Sequence, residues 1–128
     1  MKLNGKDNVL LFVYGTLMSG YGNNRLLKES YLIGKAETIG EYSLYASGIP
    51  YVYPDNKISK IKGELWEVTP QQLPRIDQLE SHPNWYQRQI VKVKCDDKIY
   101  DAWLYFMPDS SVTRCELITS GDYRDYSR

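Results

Sequence analysis

Five consecutive apolar residues, Val9-Leu10-Leu11-Phe12-Val13, run straight into Tyr14-Gly15. A strand with one wet face alternates apolar and polar side chains, whereas an unbroken run reads as a strand buried on both faces. The chain must therefore supply cover on both sides of this strand. It has 128 residues to do so, enough for a single domain spanning 1–128. Apolar residues make up 42% and charged residues 25%, a balance that builds one compact core and excludes a disordered chain.

Charge narrows the partners. Lys+Arg and Asp+Glu number 16 each, so the net charge is zero. Nucleic-acid binders carry a basic excess, and no nucleic-acid partner is expected. The apolar run is far too short to span a bilayer, and the polar Met1–Asn8 segment leads into no signal-cleavage pattern. A cytoplasmic protein without a membrane partner is the expectation, and a monomer, since no association stripe is evident. Two cysteines, Cys95 and Cys115, are too few and too distant for a disulfide framework or a zinc knuckle. One histidine, His82, excludes multi-histidine metal sites.

The elements follow from pattern. Gly15 to Gly22 reads as a loop holding three glycines, and Asn23 to Glu29 as a short helix with Leu26 and Leu27 inward. Tyr31 to Tyr45 reads as two strands broken near Gly40. Ile49 to Tyr53 is a strand whose Pro50 places it at an edge or a bulge. Ile61 to Val68 is a further strand. Thr69, Pro70 and Gln72 then mark a helix start by cap, first-turn proline and capping box, with the helix running to Leu79 or Glu80. Tyr86 to Lys94 and Ile99 to Met107 form a hairpin about the turn Cys95-Asp96-Asp97-Lys98. Strands dominate with two helices interspersed, which is an α+β chain.

Two segments carry candidate chemistry. The loop Tyr14-Gly15-Thr16-Leu17-Met18-Ser19-Gly20-Tyr21-Gly22 has Tyr21 and Gly22 where a phosphate loop needs Lys and Ser/Thr, and it also fails the dinucleotide fingerprint. A glycine after a buried strand still lets backbone N–H groups approach a carboxylate or a developing oxyanion. A plain glycine turn accounts for the same spacing. On the helix, with Leu73 at zero, Ile76 falls near −60°, Leu79 near −120° and Glu80 near −20° at about 100° per residue. Glu80 thus lies inside the apolar arc, where burial raises a carboxyl pKa toward that of a general base. A frayed helix end facing solvent is the other placement. Asp77, near +40° on the same scale, reads as a solvated face. Tyr86 and Arg88 share a face with Ile90 and Lys92. They border a pocket or an ordinary strand surface with an ion pair. His82, before Pro83, reads as a loop residue.

Together these segments resemble the γ-glutamylcyclotransferase-like family. The resemblance is carried by Tyr14-Gly15-Thr16-Leu17, by Gly63-Glu64-Leu65-Trp66-Glu67-Val68, by Ile76-Asp77-Gln78-Leu79-Glu80, by Ala102-Trp103-Leu104-Tyr105 and by Ser120-Gly121-Asp122-Tyr123. The run from Glu80 to Arg88 is most similar to the γ-glutamylamine cyclotransferase branch, with Ser81 standing where many relatives have Gly. The resemblance implies a closed mixed β-barrel with flanking helices. It implies a small-molecule γ-glutamyl substrate, Glu80 as acid/base, and Tyr14, Gly15, Thr16 and Leu17 as substrate loop, with Tyr86 as a pocket wall. It implies neither metal nor organic cofactor. The products would be 5-oxoproline and a free amine. The alternative is a non-catalytic small-molecule-binding or regulatory member of the same fold.

Overall fold

A computed structural model describes residues 8–47, 49–55, 57–79, 86–107 and 115–126. The strands are β1 (Val9–Val13), β2 (Tyr31–Ser47), β3 (Ile49–Tyr53), β4 (Ser59–Val68), β5 (Gln87–Cys95), β6 (Lys98–Phe106) and β7 (Glu116–Leu117). The helix α1 spans Leu73–Leu79, and short 3-10 turns cover Gly22–Leu27 and Tyr123–Asp125.

Five strands close on themselves in the order β2-β4-β1-β6-β5 and back to β2. β1 and β6 run parallel, and the other neighbours in the ring run antiparallel. The architecture is the expected closed mixed barrel with helical flanks. β1 sits between β4 and β6, and its Leu11, Phe12 and Val13 are buried, as an apolar run without alternation requires. Closure comes from three pairs between β2 and β5, Ala36–Cys95, Glu37–Lys94 and Thr38–Val93. β3 pairs β2 beyond the ring, so Pro50 lies on an edge strand as its missing N–H demands. The β5–β6 hairpin turns at Asp96 with φ 54°, a conformation aspartate tolerates.

Three details differ from the sequence reading. β2 is one strand of 17 residues, not two. Its pairing with β4 lapses between Glu37 and Glu41 and resumes in a shifted register, while the strand itself runs on. Buried Thr38 explains the continuity: its hydroxyl donates to the Gly40 carbonyl at 2.7 Å and accepts the Ile61 N–H at 2.9 Å, filling the missing ladder bond. α1 begins at Leu73, three residues after Pro70. The capping residues do meet, with the Thr69 N–H donating to Gln72 Oε1 at 3.3 Å, but Pro70 to Gln72 form a turn before the helix. The Gly22–Leu27 segment is a 3-10 turn rather than a helix over Asn23–Glu29, though Leu27 is fully buried as expected.

Candidate functional site

The chain leaves β1 at Val13 and passes at once through Tyr14-Gly15-Thr16-Leu17, which wall a cavity of about 130 Å³. Tyr86 forms another part of the wall. The structure thus brings five sequence-selected residues to one hollow. Among the described residues, Phe12, Val13, Asn23, Pro50 and Tyr105 also line it.

Local chemistry sets the shape of the loop. A Cβ on Gly15 would lie 2.3 Å from Pro50 Cγ, so only glycine lets the loop pass this close to β3. The Met18 N–H turns back to the Gly15 carbonyl at 2.9 Å. Asn23 clasps Thr16 twice: its N–H donates to the Thr16 carbonyl at 3.1 Å and its amide nitrogen to Thr16 Oγ1 at 2.8 Å. Asn24 donates to the Leu17 carbonyl at 2.8 Å. The carbonyls of this loop are therefore engaged. Among the described residues, none accepts a hydrogen bond from the backbone N–H of Gly15, Thr16 or Leu17. Three successive donors beside a cavity are what an anion or an oxyanion requires.

The far walls are aromatic and braced. Tyr14 Oη donates to the Tyr105 carbonyl at 2.7 Å, and Tyr86 Oη donates to the Pro50 carbonyl at 2.6 Å. Tyr51 stacks on Tyr86 with centroids 5.9 Å apart, and burial pushes the Tyr51 phenol up. Spending each hydroxyl on a backbone carbonyl fixes ring position and leaves an apolar face toward the hollow.

Helix α1 approaches through Asp77. Its Oδ1 accepts from Arg88 Nε at 2.8 Å and from Tyr105 Oη at 2.5 Å, and its Oδ2 accepts from the Arg88 guanidinium at 3.0 Å. The expectation of a solvated face is corrected here: the Asp77 side chain is 19% exposed and ties the helix to both β5 and β6. Arg88 also lies 4.4 Å over the Trp103 ring, and its hydrogen bond to Asp77 pushes the guanidinium above its ordinary range. Arg88, Ile90 and Lys92 share one face of β5 as alternation requires, with Ile90 half exposed and Val91 turned inward. Glu80, the candidate acid/base, and His82 lie outside the described residues, so the structure leaves the placement of both untested. Among the described residues, no three metal-ligating side chains converge.

Sequence reasoning missed Asn23, Pro50 and Tyr105 as wall residues. Asn23 follows Thr16 by seven residues within a polar loop, a spacing without periodic meaning. The fit of Pro50 to Gly15 exists only after β3 folds onto the ring.

A family model described as Gamma-glutamyl cyclotransferase, AIG2-like, matches residues 11–125. A Methanocaldococcus jannaschii protein, provisionally named a gamma-glutamylcyclotransferase, is 47% identical over 118 residues, covering 91% of this chain and 96% of its own length. The Gamma-glutamylcyclotransferase family protein YtfP of Escherichia coli K12 is 30% identical over 116 residues, covering 90% and 96%. The crystal structure of YkqA from Bacillus subtilis superposes with a TM-score of 0.76 at 36% identity, over 93% of this chain and 40% of that one. The crystal structure of an aig2-like protein from Mus musculus gives a TM-score of 0.77 at 23% identity, over 90% and 88%, a likeness of fold.

Proposed function

The chain belongs to the gamma-glutamyl cyclotransferase, AIG2-like family, and on that premise we propose that it releases 5-oxoproline and a free amine from a γ-glutamyl amide. In this reading the α-ammonium of the substrate gives a proton to Glu80. The freed amine attacks the γ-carbonyl carbon, and a five-membered lactam forms through a tetrahedral intermediate. The bond from that carbon to the leaving nitrogen then breaks as Glu80 returns its proton to that nitrogen. The ring nitrogen gives up its surplus proton, which the released amine takes up, so the products are the neutral lactam and an ammonium. Nothing is oxidised and no water is consumed.

One observation carries the reading: the N–H groups of Gly15, Thr16 and Leu17 at the wall of the cavity, for which no described residue is an acceptor. They suit the carboxylate or the carbonyl oxygen of the γ-glutamyl unit. The size fits as well. About 130 Å³ is close to the roughly 150 Å³ that holds a benzene molecule, room for a five-membered lactam but not for a whole dipeptide-like amide. The leaving amine would project out of the hollow. This favours the broad class of γ-glutamylamines over one particular amine.

Few groups suffice for this chemistry. Holding an intramolecular nucleophile in place supplies about 7–11 kcal/mol. A placed acid/base adds roughly 10²- to 10⁴-fold. Each oxyanion donor adds about 2.7–4 kcal/mol.

The test is release of 5-oxoproline from a panel of γ-glutamyl amides by the parent and by Glu80→Gln. The variant is expected to fold, to bind 5-oxoproline and to lose turnover by roughly 10²-fold or more. Release by Glu80→Gln at the parent rate would sink the assigned role. Silence of the parent across the panel, with 5-oxoproline still bound, replaces catalysis by ligand binding.

A further inference from the structure

Among the described residues two glutamates are buried, Glu64 at 6% exposure and Glu67 at 8%, and the proposed chemistry uses neither. Glu64 has the more telling surroundings. It pairs on β4 with Val13, the last residue of β1, at the point where the chain departs into the candidate substrate loop. Its Oε1 accepts three hydrogen bonds, from the Ser19 N–H at 2.8 Å, from Ser19 Oγ at 3.2 Å and from Trp66 Nε1 at 3.1 Å. The loop is thus fastened to β4 at both ends, by the β1–β4 ladder at Val13 and by this carboxylate at Ser19. Between the two fastenings lie Gly15, Thr16 and Leu17.

The C-terminal turn packs over the same region. Its Gly121 carbonyl accepts the Lys62 N–H at 2.8 Å, and the Tyr123 ring meets Tyr21 of the loop at 5.7 Å. Arg124 is held by Asp122 at 2.9 Å, within reach of the Glu64 charge. The Ser120-Gly121-Asp122-Tyr123 motif therefore packs against β4 and the far end of the loop, and none of its residues lines the cavity.

A glycine-containing loop loses much conformational freedom when fixed, and a ligand that has to fix it loses affinity accordingly. A hydrogen bond to a buried carboxylate meets that loss in advance. We propose that Glu64 is a positioning residue: by holding Ser19, its carboxylate keeps the Gly15–Leu17 donors in their ligand-ready arrangement before anything binds. The kinetic part of this proposal rests on the cyclotransferase reading, and the exchange part does not.

The experiment compares the parent with Glu64→Gln, which keeps an acceptor oxygen, and Glu64→Leu, which keeps bulk only. In Glu64→Leu, KM and the dissociation constant of 5-oxoproline are expected to rise about tenfold, with kcat within about threefold, and Glu64→Gln is expected to recover most of the loss. Amide hydrogen exchange at Ser19 should quicken about tenfold in Glu64→Leu and less in Glu64→Gln, while the Leu65 amide in β4 keeps its rate. Parent-like KM in a folded Glu64→Leu, or a loss confined to kcat, overturns the proposal. If Glu64→Leu does not fold, Glu64→Gln decides: faster Ser19 exchange with unchanged Leu65 supports the role, and the parent Ser19 rate overturns it. A parent inert toward every γ-glutamyl amide overturns the cyclotransferase reading instead, and Ser19 exchange still decides the role of Glu64.

Discussion

Asp77 lies 2.8 Å from Arg88 and Asp101 lies 2.9 Å from Lys92, but the first pair has side chains 18–19% exposed and the second 62–66%. Water screens the exposed pair, and ordering two long side chains offsets what attraction remains. The sheltered pair is bidentate, adds the Tyr105 hydroxyl and sits beside a guanidinium–indole contact. Asp77→Ala is expected to cost about 2–3 kcal/mol, and Lys92→Ala under about 0.5 kcal/mol, both measured by urea unfolding. Equal losses would mean that α1 is not fastened through Asp77. The helical-wheel angle placed Asp77 just outside the apolar arc, which is correct for the helix alone. It could not reveal that β5 and β6 present a cation and a phenol at that angle. The turn at Tyr14 to Leu17 was legible because a glycine ending a buried strand is a local signal, but its place beside a candidate site was pointed to only by the family resemblance. Asn23 was not, because a seven-residue return within a polar loop has no periodic signature, and Pro50 was not, because its contact with Gly15 joins segments remote in sequence.

At the level of elements, two glycines separate backbone strain from crowding. Gly20 has φ +90° with nothing near a Cβ, whereas Gly121 has φ +75° and a Cβ there would lie 2.0 Å from the Lys60 carbonyl oxygen. Gly20→Ala is expected to cost about 1–2 kcal/mol from left-handed backbone alone. Gly121→Ala should cost at least about 1 kcal/mol more, because the C-terminal turn must shift off β4. Thermal unfolding of the two variants checks the ordering, and a Gly121→Ala no worse than Gly20→Ala contradicts the packing described. β1, β3 and the β5–β6 hairpin were legible because apolar runs, a strand proline and a two-residue turn are short-range signals. The unity of β2 was not legible. Gly40 looks like a stop in one dimension, and the hydroxyl of Thr38, bridging to Ile61 across the sheet, with the Thr38–Val93 pair to β5, carries the strand up to it.

For the whole molecule, the ring order was beyond pattern reading, since β1 lies between β4 and β6 and three pairs between β2 and β5 complete the circuit. Strand periodicity says which faces are buried, and only the family resemblance pointed to closure. Buried Cys95 stands at that junction, opposite Ala36. Burial, and secondarily the Asp96 charge, pushes its thiol above the ordinary 9.0. A raised acid keeps its full stability contribution below the unfolded pKa and loses it as pH climbs toward the folded one. Stability should therefore begin to fall near pH 9, before the raised phenols of Tyr42, Tyr51 and Tyr123 join from their ordinary 10.0 upward. Urea midpoints from about pH 8 to 10 measure this, and Cys95→Ala should flatten the early part of the decline. An unchanged slope in that variant excludes the thiol as its source. The circular strand row has one more outcome. Each of its five members already has companions on both flanks, so foreign polypeptide can join the ring only by prying apart the brief β2–β5 junction, and the rim left outside it is β3, where Pro50 withholds a donor. Fibrillar growth from the ring is thereby made to wait on unfastening.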